Sequence, residues 1–392
     1  MFLLSDLVMA CEPLNHVLDG KEISKKQIYE ILESTKNNPS ELYYASSTIR
    51  NKFKSNTVTF SKKAFFNMIN LCRDFCGYCT YKSEPGEQKL SLMNKKDIRV
   101  LAELAKKHHC TEALFVTGER PEEKYNIAKQ WLKENGFVST AEYLAHASEI
   151  ALEAGLFPHT NGGNLTKSEM NSLRKTNASI GVMLENSSER LSEKNMPHVL
   201  APSKNPRERL KVLQNSGELS IPTTTGVLVG IGETPYELIE SLYAIREIHD
   251  RYGHIQEIIL QNFQPKDDTL MRNTPSAEEE YFKTMVALAR IIMPEMNIQI
   301  PPNLSPNSYQ YFLDAGINDW GGISPLTADY VNPEFKWPEI DFIEKYTKDA
   351  GFDLKARFPV YPEMMKMIPS ELYQKMIPIM NKDGLVIEDY WR

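Results

Sequence analysis

From Thr57 onward, short runs rich in β-branched and aromatic residues alternate with helical patterns at a repeat of roughly 30 to 40 residues. That alternation constrains the fold more than any other feature of the chain. A strand rejoins a sheet in the same direction only through a crossover, so repeated strand–helix units build a parallel sheet. Strand segments read as 64–69, 113–116, 156–159, 179–184, 224–229, 257–262, 297–300 and 317–320. Helical segments fall between them at 95–108, 121–155 with a break near Gly136, 165–175, 206–214, 235–252, 277–292 and 307–313. Eight such units favour an α/β fold, a closed (β/α)8 TIM-like barrel, over an open six-unit version. Residues 1–56 read as a helical N-terminal extension capping the barrel mouth or its outer wall: Ile23, Ile28, Ile31 and Leu32 share a face, and Ser24 is placed to cap before Gln27. The barrel then spans 57–338, and 339–392 is a C-terminal helix and tail. Reactive groups of such barrels sit at the C-terminal ends of the strands.

The loop leaving the first strand is Asn70-Leu71-Cys72-Arg73-Asp74-Phe75-Cys76-Gly77-Tyr78-Cys79-Thr80-Tyr81, which holds three of the five cysteines. Thiolates at that spacing, with Gly77 to let the backbone turn, point three sulfurs at one centre. A closed structural zinc site and a fully ligated cluster each want four ligands, so Cys72, Cys76 and Cys79 leave one metal position open. Their rivals are three packing thiols or a zinc loop borrowing a remote ligand.

Composition narrows the partners. A net charge of −7 argues against nucleic acid and favours a small-molecule substrate. No window approaches the roughly 18 unbroken apolar residues of a membrane span. The stretch Met1-Phe2-Leu3-Leu4-Ser5-Asp6 lacks a basic region and is not read as a signal peptide. Five cysteines with three grouped do not suit a disulfide framework, so a reduced, cytoplasmic setting is expected.

C-x3-C-x2-C with an aromatic before the last cysteine resembles the radical S-adenosylmethionine enzymes. The resemblance implies a 4Fe-4S cluster on Cys72, Cys76 and Cys79, whose open iron chelates the amino and carboxylate groups of S-adenosylmethionine. Reductive cleavage then gives methionine and an adenosyl radical that takes hydrogen from substrate. Carried onto this chain, the motif gives Tyr78 beside the cofactor, and Gly118 and Glu119 receiving the methionine ammonium, with Thr117 where a glycine is usual. Glu185 would accept from the ribose diol, a task for an ionised carboxylate. Arg209, in Glu208-Arg209-Leu210, would fork onto the cofactor carboxylate. Ile231 would lie beside the adenine.

Longer strings resemble one family within that group: Gly118-Glu119-Arg120-Pro121-Glu122, His159-Thr160-Asn161, Ala201-Pro202-Ser203-Lys204, Gln261-Asn262-Phe263 and Asn318-Asp319-Trp320-Gly321-Gly322-Ile323-Ser324-Pro325. Together with the cysteine loop they are similar to the 7,8-didemethyl-8-hydroxy-5-deazariboflavin (FO) synthases, CofG-type subunit. What this implies is a lyase of coenzyme F-420 biosynthesis. It would close the deazaflavin ring of a tyrosine–5-amino-6-(D-ribitylamino)uracil adduct with loss of ammonia. A tyrosine-coupling radical partner subunit supplies the adduct, and a reductant protein the electron. Gly162-Gly163 stands where the family pattern has Pro-Gly, and Ser203 where it has Asp. Both departures fall on loops at the far side of the mouth. Asn161, Asn262 and Asn303 are expected to bind substrate, and His198 or Asp319 to move the proton that ring closure sheds. Alternatives left open are the tyrosine-coupling subunit itself, a menaquinone-pathway relative, or a non-catalytic metal-binding module.

Overall fold

The computed structural model describes residues 9–392; the stretch Met1–Asp6, expected not to be a signal peptide, lies outside them. Eight parallel strands close a barrel: β1 (Thr57–Asn67), β2 (Glu112–Val116), β3 (Phe157–Asn161), β4 (Ser179–Gly181), β5 (Thr223–Val229), β6 (Ile255–Asn262), β7 (Asn297–Gln299) and β8 (Asp319–Ile323). Each pairs with the next, and β8 returns to β1. A ninth strand, β9 (Asp353–Ala356), also joins β1. The edge of β1 opposite β8 is shared: residues 57–60 pair with β9, and 63–67 pair with β2. Outside the barrel, helices such as Pro235–Tyr252 and Glu279–Ile292 bury apolar faces against the strands.

The chain after β9 crosses the N-terminal end of the barrel and closes it. Arg357, 2% exposed, donates through Nε to Asp319 Oδ2 at 2.6 Å and through Nη2 to Asp319 Oδ1 and Glu257 Oε2, each at 3.0 Å. Tyr361 adds a bond to Glu257 Oε2 at 2.9 Å. Burial works to lower the Arg357 pKa, but Asp319 and Glu257 outweigh it and hold the guanidinium charged. Beside it, Phe358 packs edge-on against Phe157.

The N-terminal helices α1 (Glu12–Leu18), α2 (Lys25–Thr35) and α3 (Ser40–Lys54) pack on the outer wall, not on the mouth. Ser24 and Gln27 form the expected capping box. Lys25 reaches Glu240 at 2.6 Å, and buried Arg50 of α3 caps the carbonyls of Ser55 and Thr57 at 2.6 and 2.7 Å.

Several expected boundaries need correction. β1 begins at Thr57 rather than Ala64, because Lys62 and Lys63 are buried strand residues with partners: Lys62 donates to the Trp391 carbonyl and Lys63 to Glu112. β8 runs over 319–323, through Gly321 and Gly322, rather than 317–320, and 307–313 carries only a short 3-10 turn, Tyr309–Phe312. β4 ends at Gly181, and β9 was not foreseen in a segment rich in loop residues.

Replacing Arg357 by Met leaves Asp319 buried and unpaired, and breaking a buried pair on one side costs about 3–5 kcal/mol. Urea unfolding of the variant should show a loss of that size. Burial also pushes His159 and His254 down to about 4. The unfolded chain then binds protons that the folded state refuses, so this contribution is complete above about pH 6.5 and declines as the pH falls toward 4. Urea midpoints should therefore be lower at pH 5 than at pH 7.5.

Candidate active site

The loop leaving β1 folds back over the C-terminal mouth of the barrel. It is pinned by the Phe75 amide to the Leu200 carbonyl at 2.9 Å, the Gly77 amide to the Pro197 carbonyl at 2.8 Å and the Arg73 amide to the Glu119 carbonyl at 2.8 Å. Cys72, Cys76 and Cys79 all line one cavity of about 340 Å³ that descends into the barrel. Without a bound group, burial pushes the Cys72 thiol up to about 11 and Cys76 higher still. Cys72 Sγ accepts the Glu119 amide at 3.2 Å, a bond that favours its thiolate. All five cysteines are free, and Cys11 and Cys110 are buried away from the mouth.

Four features around the cysteines suit an amino-acid-bearing nucleoside. Gly118 packs so closely on the cysteine loop that a Cβ would stand 1.9 Å from the Leu71 carbonyl oxygen. Glu119 is buried, accepts the Asn164 amide at 3.0 Å, and lies 4.0 Å from Arg209. Its carboxylate fills the space of a missing side chain: at Gly163, φ +71°, a Cβ would stand 2.2 Å from Glu119 Oε2. Glu185, in left-handed backbone at φ 65°, takes Lys204 Nζ on Oε1 at 2.5 Å and leaves Oε2 buried with no partner. Burial works to raise the Glu185 pKa, but Lys204 and then Arg209 outweigh it, so the carboxylate stays ionised. Arg209 is held by the Ser203 carbonyl at 2.8 Å, and Ser203 also anchors Asp74 of the cysteine loop through its hydroxyl and amide.

Tyr78 and Ile231 meet in a small apolar cluster with Leu191, Leu228 and Phe263, packed against Cys76 and Cys79. Tyr78 and Leu228 reach the cavity wall. This donor set fits a three-thiolate cluster with an amino-acid-bearing nucleoside beside it: three thiols share one cavity, an unpartnered carboxylate oxygen stands at its edge, and a glycine cradle lies below.

The expected substrate residues separate. Asn161 and Asn262 line the cavity, and Asn262 keeps its Oδ1 unpartnered. Asn303 lies behind the wall, where it donates to Asp329 at 3.0 Å and steadies the loop after β8. Neither expected proton carrier lies in the cavity. His198 bonds the Tyr78 hydroxyl at 3.0 Å, and burial, then Lys204, pushes it down to about 4. Asp319 sits at the start of β8, at the end of the barrel away from the cysteines, as the partner of Arg357. His198 therefore positions Tyr78, and Asp319 closes the floor.

Sequence reasoning missed Lys204, although it ends the Ala201-Pro202-Ser203-Lys204 string, and it missed the lumen-facing Lys63, Glu112 and Gln299 altogether. The signal for the first two was alternation: 63, 65 and 112, 114, 116 follow the period of two of inward positions.

A sequence profile of the Radical SAM superfamily matches residues 66–244. A 7,8-didemethyl-8-hydroxy-5-deazariboflavin synthase of Methanopyrus kandleri is 46% identical over 310 residues, 79% of this chain and 93% of that one. A synthase of the same name from Methanocaldococcus jannaschii is 41% identical over 358 residues, covering 91% and 98%. Among solved structures, the FeFe-hydrogenase maturase of Carboxydothermus hydrogenoformans superposes with a TM-score of 0.71 at 17% identity, covering 97% of this chain and 91% of its own. Methylornithine synthase gives 0.68 at 15% identity, covering 87% and 97%. These two likenesses establish the barrel, while the identity to the synthases, over nearly their whole length, reaches further: the chain belongs to the 7,8-didemethyl-8-hydroxy-5-deazariboflavin synthase family of radical S-adenosylmethionine enzymes.

Proposed function

We propose that this chain closes the deazaflavin ring of FO from a tyrosine–ribityluracil adduct, with loss of ammonia. The observation that carries the reading is the continuity of one cavity from the three thiols, past the unpartnered Glu185 oxygen, into the barrel lumen. A 4Fe-4S cluster with S-adenosylmethionine, when bound, supplies hydrogen-atom abstraction at an unactivated carbon. The residues of the chain bind, orient and seal. Cys72, Cys76 and Cys79 hold the cluster. Glu119 and the Gly118 backbone receive the cofactor ammonium, Arg209 its carboxylate, and Glu185 the ribose hydroxyls. Tyr78, steadied by His198, and Leu228 provide the apolar side of the adenine slot, with Ile231 packed behind them rather than on the cavity wall.

Asn161 and Asn262 contact the adduct from the wall, while Asn303 acts through the strap after β8. That strap, 324–337, spans the mouth: the Val331 carbonyl receives Thr80 Oγ1 at 2.8 Å, and Trp337 stacks on Phe65 at 5.3 Å. It limits the entry of water, which suits chemistry that a stray hydrogen donor would quench. The adduct arrives from a tyrosine-coupling partner subunit and the electron from a reductant protein. The reduced cytosol is the setting such a cluster needs; no helix among the described residues is long and apolar enough to cross a membrane.

Anaerobic turnover of the reconstituted protein with S-adenosylmethionine, a reductant and the adduct should yield 5′-deoxyadenosine and fluorescent FO together. Cys76→Ala should abolish both and lower bound iron and sulfide. Deoxyadenosine without FO would keep the radical chemistry and sink the substrate assignment. A second variant tests the cofactor cradle. Gly163→Ala drives a methyl into the Glu119 carboxylate, and losing one charge-assisted hydrogen bond should weaken S-adenosylmethionine binding by about tenfold or more in equilibrium dialysis. Unchanged binding would remove Glu119 from the cofactor site.

A further inference from the structure

The cavity does not end at the cofactor. On every strand of the barrel, the first residue to line it, counting from the floor, is polar or a glycine. Lys63, Glu112, His159, Thr224, Glu257 and Gln299 occupy β1, β2, β3, β5, β6 and β7. Gly181 lies on β4 and Gly322 on β8. The next inward residues toward the cysteines are mainly apolar: Phe65, Leu114, Leu228 and Ile259 among them. The lumen is thus lined by polar groups at its blind end and mainly by apolar ones beneath the cysteines. A barrel that only needed a packed core would fill these positions with branched aliphatic side chains.

The glycines make room for this layer. A Cβ at Gly322 would stand 1.8 Å from Lys63 Cε, one at Gly321 (φ +72°) 2.0 Å from Gln299 Nε2, and one at Gly181 2.7 Å from His159 Nε2. The Gly321-Gly322 pair in β8 therefore lets two long polar side chains lie across the lumen.

Hydrogen-bonding capacity remains there. Lys63 Nζ spends one donor on Glu112 at 2.7 Å. The Gln299 amide makes no protein hydrogen bond among the described residues although it is only 7% exposed. Ser179 Oγ donates to the Pro359 carbonyl and so accepts from His159 Nδ1, 2.6 Å away. Nε2 of the same ring faces Asn161 Oδ1 at 3.1 Å, so both ring nitrogens are taken up by protein partners. The layer offers spare donors at Lys63, and at Gln299 both a donor and an acceptor, since its NH2 and its carbonyl oxygen are each unused by the protein. A chain of hydroxyl groups, each both donor and acceptor, satisfies such a mixture along its whole length; the hydrocarbon part of the ring system does not.

We propose that Lys63, Glu112, His159 and Gln299 form the subsite for the polyhydroxylated chain of the substrate, so that the ring to be closed is held above it among Phe65, Leu114, Leu228 and Ile259, facing the cysteines. This rests on the synthase reading, in which substrate and product both carry a ribityl chain. The polar end of the ligand then fixes its depth and presents the reacting carbon to the cofactor.

The test is a fluorescence titration of the anaerobic holoenzyme with two probes: FO, and a deazaflavin carrying a methyl group in place of the ribityl chain. Wild-type protein should hold FO at least about tenfold more tightly, the worth of one or two net hydrogen bonds. Gln299→Leu, which breaks no protein hydrogen bond, and the charge-neutral pair Lys63→Met with Glu112→Gln should each erase most of that preference. Affinity for the methyl compound should stay within about twofold. Thermal unfolding identifies a variant that has lost its fold, and Gln299→Leu then carries the test alone. Wild-type protein that makes FO yet binds both probes alike, or variants that weaken both alike, would overturn the subsite and leave the synthase reading standing. Protein that cleaves S-adenosylmethionine but neither binds a deazaflavin nor converts the adduct would overturn both.

Discussion

The structure depends on a guanidinium buried at the floor of the barrel. Arg357 meets Asp319 with two nitrogens and Glu257 with one, joining β6, β8 and the segment that follows β9. Removing three charges from water is costly, and a pair of this kind holds only where the hydrogen bonds are well satisfied. Here Thr224 and Tyr361 complete the Glu257 carboxylate, at 2.8 and 2.9 Å. The reward is geometric. With the floor closed among the described residues, the lumen runs up to the cysteine end, so what enters there passes the site where hydrogen is taken.

Above the floor, side-chain chemistry is sorted by height along the strands. Charged and amide groups lie lowest, aliphatic and aromatic groups next, and the thiols with their acidic and basic neighbours at the mouth. The period of two along a strand makes this possible, since alternate residues face the lumen while those between them face the helices. Glycines set the width: at 163, 181, 321 and 322 a missing side chain is replaced by a polar group from the neighbouring strand or loop. Lys204 and Arg209 bring positive charge to a mouth rich in carboxylates, and Ser203 knots that charge to Asp74 in the cysteine loop.

The alternation of strands and helices made the barrel legible, and the three cysteines with Gly118, Glu119, Glu185 and Arg209 were legible as a motif; the structure brings them to one mouth. What stayed hidden has a physical reason in each case. Lys63 and Glu112 look like surface residues until each supplies the other's partner across 49 positions of sequence. Asp319 stands in a string that marks the family, but that string begins a strand, and the chain direction puts it at the far end from the chemistry. His198 carries the residue type of a proton carrier, yet its ring is spent on the Tyr78 hydroxyl. β9 escaped notice because the alternation of Asp353-Leu354-Lys355-Ala356 covers only four residues in a tail of prolines, too few to stand out from chance.

The shared edge of β1 has a bearing on how the protein is made. Its lower half waits for β9, and its upper half pairs with β2. During synthesis the cysteine loop leaves the ribosome long before residues 353–361 exist, and domains organise from the N-terminal side as the chain emerges. Once β8 has emerged to close the ring of strands, and until those residues dock, the barrel has no floor. The cavity becomes a vessel only when residues 353–361 dock, so a chain cut before them retains its metal-binding motif but lacks the base of its reaction chamber.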